Sequence, residues 1–444
     1  MMTQSALDQA DLARLAAEFD ADPHARFAQN AVTTTGIDHI ALDRRVVTSI
    51  DPSMSDKLDT WPVTNQKKSG RCWLFSGLNL LRAHVIDELH LDSFELSQNY
   101  LHFWDKLEKA NWFFTSMIEL ADRPLDDRTV ATMLADPIGD GGQWDMFVSL
   151  VVKYGVVPKY AMPETESSSN TKGMNHTLET LLRRGARDLR RTVADGKDAD
   201  EVRLSLVGEV YRVLSIHLGT PPTSFWWQYR DKDNEFTRAG NVTPLDFAAR
   251  YIDVDLTRYI CLVNDPRETS PFGSVLTVDH LGNVVGGRPV AYLNAPAELL
   301  SGMVATIIQT GRPVWFGCDV SQQFDRTLGV WDAHLFDYQS VYGVDLSMTK
   351  AERMRLGEEA MNHAMLFTGV DLVDGAPRRF RVENSWGDEA ADKGFDTMNA
   401  DWFNEHVFEV AVPIEELPEQ WQKKLDRTTP LVLPLWDPMG SLAG

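Results

Sequence analysis

Residues Asn65-Gln-Lys-Lys-Ser-Gly-Arg-Cys-Trp-Leu-Phe-Ser76 decide the reading of this chain. A loop containing Gly70 leads straight into an apolar run, in which Leu74, Leu78, Leu81, Val85 and Leu89 recur at steps of four, three, four and four. That spacing predicts a helix from Cys72 to about Leu89 with one buried stripe. The Cys72 sulfur then sits in the first turn, where free N–H groups and the helix dipole favour a thiolate. A free cysteine is more often a small buried hydrophobe, and Cys261 and Cys318, both in apolar runs, are read that way. At Cys72 the surroundings outweigh that reading. Arg71 adds positive charge next door, although its side chain could equally point into solvent. Gln66, six residues ahead, is either a solvated loop amide or an N–H donor that joins the Cys72 backbone N–H in holding an oxyanion. Losing one such donor typically raises a barrier by about 3 kcal/mol.

A thiol nucleophile needs an imidazole partner, and that imidazole needs a group to fix its tautomer. Eleven histidines compete. His84 and His90 are six apart, which is not a same-face spacing on a helix, so they make no metal pair. No CxxC or HExxH ligand set occurs, and neither a metal nor an organic cofactor is expected. His363 stands in Met361-Asn-His-Ala-Met-Leu-Phe-Thr-Gly-Val370, at the start of an apolar strand, and Asn384 in Arg381-Val-Glu-Asn-Ser-Trp-Gly387. A lone His at a strand end is usually structural. An Asn, however, can accept from the ring N–H without adding a second negative charge, leaving the His free to pair with a thiolate. Trp386 can cover that pair, though a Trp is by default core.

Gln66 through Phe75 resembles the nucleophile loop of papain-like cysteine peptidases, and Asn384-Ser-Trp-Gly387 resembles their Asn motif. The three motifs occur in the chain order of that family. Ser69 stands where secreted members often carry a disulfide-bonded Cys, which fits a reduced compartment. Papain-type enzymes place the His about 130–150 residues after the Cys; here His363 follows Cys72 by 291. The inserted blocks include Asp140-Gly-Gly-Gln-Trp-Asp-Met-Phe147, Tyr154-Gly-Val-Val-Pro-Lys-Tyr160, Gly282-Asn-Val-Val-Gly-Gly-Arg-Pro289 and Trp315-Phe-Gly-Cys-Asp-Val320. With Phe94-Glu-Leu-Ser-Gln-Asn-Tyr100 they resemble the bleomycin hydrolase and aminopeptidase C subfamily, from about Arg26 to the last residue.

The resemblance implies an α+β, papain-like two-lobed fold: a helical lobe with Cys72, a strand-rich lobe with His363 and Asn384, and a cleft between them. It also implies a helical oligomerisation insertion, a homohexamer, and a C-terminal tail lying in the cleft. The expected organisation is an N-terminal extension over 1–60, the helical lobe over 61–164, the insertion over 165–255, the strand-rich lobe over 256–425 and the tail over 426–444. Within these, residues 5–20 read as an amphipathic helix with Leu7, Leu12, Leu15 and Phe19 as its apolar side. Ser97 reads as the cap of a second helix, 171–218 as a charged helical module, and 282–287 as a turn. Strands are expected at 259–263, 313–318, 365–370, 379–382 and 407–412. The tail, Leu431 to Gly444, shows no helical or strand period, and Pro434 and Pro438 are expected to keep it extended. Its end, at Gly444 or at Ala443 after trimming, would gate the non-primed side and pair with a substrate ammonium.

The activity implied is release of N-terminal residues from peptides, with Cys72 attacking, His363 shuttling the proton, Asn384 orienting it, Gln66 steadying the oxyanion, and Trp73 and Trp386 in support. Hydrolysis of amides of the bleomycin type is a possible side activity. The rivals are a papain-like endopeptidase, a nucleic-acid-binding homologue and a non-catalytic homologue. In 444 residues there are 43 Lys and Arg against 65 Asp and Glu, a formal charge of −22. A surface that acidic repels phosphate backbones and anionic lipid, so nucleic acid and membrane are poor partners. The acidic N-terminus lacks the apolar core of a signal peptide, no apolar run approaches the roughly 18 residues of a span, and three scattered cysteines make no disulfide framework. A cytoplasmic protein acting on peptides is expected.

Overall fold

The computed structural model describes residues 6–58, 61–425 and 429–443. Among them, one mixed sheet of twelve strands forms the base of the molecule. Across it run Leu431–Leu433, Val275–Val278, Tyr292–Asn294, Tyr259–Val263, Val407–Pro413, Val314–Cys318, His363–Val373, Ala376–Glu383 and Phe395–Asn399, with short strands beyond. The central strands are buried along both faces, so they read as continuous apolar runs, and period-two alternation sorts them into two cores. Cys261, Val263, Trp315, Ala364 and Leu366 join the core shared with the helical lobe. Ile260, Leu262, Phe316, Met365 and Phe367 point the other way, onto the helix Ala297–Gln309.

The helix expected at Cys72 runs Cys72–Glu88, and the stripe Leu74, Leu78, Leu81 and Val85 is buried as the spacing required. Burial goes further than one stripe: the helix lies between the sheet and the helices Gln98–Glu119 and Trp144–Tyr154, so its polar face is inside as well. Those polar groups are satisfied across the lobes. Ser76 Oγ donates to Ala364 O at 2.9 Å, and Asn79 and Arg82 both donate to Glu383 Oε1, at 2.8 and 2.7 Å. Ser97 caps Gln98–Glu119 by accepting from Tyr100 N.

The module at 171–218 is two helices, Lys172–Ala194 and Asp200–Leu218, packed on Gln98–Glu119. Their buried residues fall at helical spacing: Met174, Leu178, Leu182 and Leu189 on one, Leu206, Val210, Leu214 and Leu218 on the other. After them the chain makes an antiparallel ribbon, Phe225–Arg230 with Phe236–Val242, where helix alone was expected. The signal was present in Phe225-Trp-Trp-Gln, whose residues alternate buried and exposed.

At the ends of the chain one expectation holds in outline and one fails. The first helix runs Gln9–Ala21 from the cap Asp8, and Leu12, Leu15 and Phe19 on it, like Leu7 before it, are exposed. The tail is not extended throughout. Leu431–Leu433 adds a parallel strand to Val275–Val278, and Pro438–Ala443 winds into 3₁₀ helix. Pro438 opens that turn, where a missing N–H does no harm. The five expected strands are present, with His363–Val373 and Ala376–Glu383 longer at both ends, while Val275–Val278, Tyr292–Asn294 and Phe395–Asn399 were not expected. No described helix is long and apolar enough to cross a membrane.

Candidate active site

Cys72 is the first residue of its helix, and the strand His363–Val373 lies against that helix. The Cys72 sulfur is 3.9 Å from Gly70 O. Backbone N–H groups of Ala364, the residue after His363, of Trp73 and of Cys72 itself act on the same sulfur to lower its pKa. These donors favour a thiolate, but burial outweighs them and pushes the thiol up to about 11. Burial likewise holds His363 down, to about 4, with the Asn384 hydrogen bond opposing and the positive charge of Arg326 assisting. Burial thus works against an isolated charge on either group. Either charge alone is costly in this enclosure. The two together arise by passing one proton from sulfur to ring, each ion offsetting the other's desolvation.

The His363 tautomer is set by its partner. Asn384 Oδ1 accepts from the Ser385 backbone N–H at 2.8 Å, and Asn384 Nδ2 donates to Asp396 Oδ2 at 3.3 Å, which fixes which end of the amide is oxygen. That same Oδ1 lies 3.1 Å from His363 Nε2. Nε2 therefore carries the hydrogen, and Nδ1 is the basic nitrogen. Asp396 is a residue that sequence reading passed over. Burial raises its carboxyl to about 7, with the Asn384 hydrogen bond opposing.

Gln66 reaches the same group through Ser385. Gln66 N donates to Ser385 O at 2.8 Å, Ser385 Oγ donates to Gln66 Oε1 at 2.6 Å, and Gln66 Nε2 donates to Ser69 O at 2.7 Å. One hydrogen of the Gln66 amide is thus engaged within the loop and one remains for another acceptor. The pairing of 64–66 with 385–387 is tight enough to require Gly387: its φ is +84°, and a Cβ there would stand 2.4 Å from Asn65 Nδ2.

Trp386 stacks on His363 with centroids 4.7 Å apart, and the Arg326 guanidinium lies 4.4 Å over the other ring system. Trp73 is fully buried, donates its Nε1–H to Asp140 O at 2.8 Å, and packs so closely that a Cβ on Gly142 would come within 2.5 Å of it. Asp140 also holds the nucleophile loop, accepting from Gly70 N at 3.1 Å and from Lys106 Nζ at 2.7 Å. Arg71 does not point into solvent. It is fully buried and doubly hydrogen-bonded to Glu164, at 3.0 and 2.7 Å, so its charge is matched there.

The tail comes to the same place. Met361, two residues before His363, donates its N–H to Pro438 O at 3.4 Å and accepts from Ser441 Oγ at 2.5 Å. Met439 and Leu442 are buried, and Gly440 and Ser441 form one wall of a mainly apolar cavity of about 220 Å³ whose other walls include Trp112, Met133 and Met146. Gly444 lies outside the described residues, and so does the side chain of Ala443.

This arrangement of cysteine, imidazole and amide on two facing lobes defines a papain-like cysteine peptidase. Comparison with known proteins agrees. A family model described as the Peptidase C1-like family matches residues 6–440. The chain is 43% identical over 421 residues to aminopeptidase C of Lactobacillus delbrueckii subsp. lactis, covering 94% of each. It is 42% identical over 455 residues to bleomycin hydrolase of Homo sapiens, covering 100% of both. It matches the crystal structure of PepW from Lactobacillus rhamnosis HN001 with a TM-score of 0.96, at 41% identity over 99% of each chain. The chain belongs to the Peptidase C1-like family.

Proposed function

We propose that this chain is a cysteine aminopeptidase that releases N-terminal residues from peptides, with Cys72 as nucleophile and His363 as general acid and base. Cys72 Sγ attacks the scissile carbonyl as its proton passes to His363 Nδ1, and a C–S bond forms. The oxyanion takes hydrogen bonds from the Cys72 backbone N–H and the free amide hydrogen of Gln66. His363 then gives its proton to the leaving amine, leaving a thioester. Water, deprotonated by the same nitrogen, releases the acid and restores the thiol. Asn384 keeps the ring hydrogen on Nε2 throughout.

The observation that carries the aminopeptidase reading is the fastening of the tail at Met361, beside His363. A chain end seated there blocks the non-primed side and leaves room for a single residue before the scissile bond. A terminal carboxylate at Ala443 or Gly444 would then take the free ammonium. Relatives named aminopeptidase C and bleomycin hydrolase support the same reading, including hydrolysis of amides of the bleomycin type. The enzyme works as a homohexamer in the reducing cytoplasm. Three cysteines without a disulfide support the compartment, and exposed Leu12, Phe27 and Trp226 supply apolar surface for assembly.

The test is a panel of free and N-blocked aminoacyl amides and peptides, assayed with and without a thiol alkylator. Only substrates with a free amino group should turn over. Equal turnover of blocked peptides would make the chain an endopeptidase.

A further inference from the structure

Between Thr429 and Ala443 the tail has one charged side chain, Asp437. Its carboxylate meets the Arg267 guanidinium squarely: Nη1 donates to Oδ2 and Nη2 to Oδ1, both at 2.9 Å. Neither side chain is more than 10% exposed. Arg267 is held from behind by Asp265, which is fully buried and accepts from Nε and Nη2 at 2.8 Å each. Asp265 is itself tied to the sheet, through Asn294, at the end of the strand Tyr292–Asn294. The guanidinium is thus a rigid socket built on the sheet, with its open side turned to the tail.

Apart from the Arg128 guanidinium, which lies 3.9 Å over the half-exposed Trp436 ring, the other polar fastenings described downstream of Leu433 are neutral, and most are long. Tyr292 Oη to Met439 O is 3.3 Å, Met361 N to Pro438 O is 3.4 Å and Gln143 Nε2 to Gly440 O is 3.4 Å. Ser441 Oγ to Met361 O, at 2.5 Å, is the exception. A charged, bidentate, enclosed pair is stronger than any of these neutral bonds. Asp437 also sets the turn that follows, accepting from Met439 N at 3.0 Å through Oδ1 and from Gly440 N at 2.9 Å through its carbonyl.

We infer that Arg267 is a positioning residue that determines exopeptidase specificity by latching Asp437 and so seating the tail beside His363. The inference rests on the proposed gating role of the tail. With the latch closed, the last residues stand in the non-primed side and only a free N-terminus fits. With it open, the segment beyond Pro434 keeps only neutral hydrogen bonds and the exposed stacking of Arg128 on Trp436, and the non-primed side becomes available to longer, N-blocked chains.

The experiment compares full-length enzyme with Asp437→Ala, Arg267→Ala, Arg267→Lys, a deletion of residues 440–444, and that deletion combined with Asp437→Ala. The readout is the ratio of kcat/KM on an N-blocked peptide to kcat/KM on the same peptide unblocked. Asp437→Ala and Arg267→Ala should each raise the ratio by about tenfold or more, the factor a hydrogen bond to a charged group is worth. Arg267→Lys should fall between them and the parent, because an ammonium cannot hold two carboxylates in forked geometry. The deletion should raise the ratio too, and Asp437→Ala should add nothing to it, since both act through one tail. Asp437→Ala leaves the Arg267–Asp265 pair intact, so it carries the test even if Arg267→Ala fails to fold. An unchanged ratio in Asp437→Ala, beside a raised ratio in the deletion, would overturn the latch and leave the gate standing. An unchanged ratio in the deletion would overturn the gate itself, and the latch with it.

Discussion

The Trp386 ring lies against the His363 imidazole at 4.7 Å, with 26° between their planes. Burial is the largest cause holding His363 near 4, and the charge of Arg326 over Trp386 adds to it. A lowered imidazole pKa keeps the ring neutral as pH falls below the ordinary 6.5, down to about 4. The acid limb of kcat/KM should therefore lie near pH 4. Trp386→Ala admits water to the ring, so protonation begins at higher pH and the limb should move up toward 6.5. A pH–rate profile of both proteins checks this; an unmoved limb would mean that Trp386 does not shield His363.

Asn384→Ala should lower kcat/KM by about 10- to 100-fold without abolishing it. The sulfur, the imidazole and the oxyanion donors remain, and only the tautomer and ring orientation are lost; full general acid–base catalysis is worth about 10²–10⁴. Steady-state kinetics across the pH range measures it. Parent rates at every pH would remove Asn384 from the account.

Glu383 sits one residue before Asn384 and takes Arg82, Asn79 and Trp61, all within 2.8 Å, at a fully buried carboxylate. This pair bolts the helix of Cys72 to the strand that leads to Asn384. Arg82→Ala leaves that carboxylate buried and unpaired, and should destabilise the fold by about 3–5 kcal/mol. Equilibrium urea unfolding reports it, and a loss below 1 kcal/mol would contradict the buried geometry.

Light scattering or sedimentation should give about six chains per particle. A monomer at working concentration would remove the homohexamer from the proposal.

The sequence carried the site further than its surroundings. Cys72, His363 and Asn384 are legible because each needs one residue type for a local reason: a helix start, a strand start, or an acceptor for a ring N–H. Asp396, Asp140 and Glu383 were not legible, because their work depends on partners 12 to 322 residues away and no local pattern marks a carboxylate as buried. The same holds for Arg71, whose partner Glu164 is 93 residues on. The periods located the helices of Cys72, Ser97 and 171–218 and five of the strands. They passed over the helices Trp144–Tyr154 and Ala297–Gln309, the ribbon 225–242 and the strands 275–278, 292–294, 395–399 and 431–433, several of them short segments that pair by tertiary context.

The most direct measurement is parallel alkylation and assay. Enzyme is titrated with iodoacetamide, the label at each cysteine is mapped by peptide mass, and release of N-terminal residues is followed in the same samples. Activity should fall in proportion to label at Cys72, with Cys261 and Cys318, both within the buried strands of the sheet, unmodified at that point. Full activity after stoichiometric labelling of Cys72 would contradict the account at its centre.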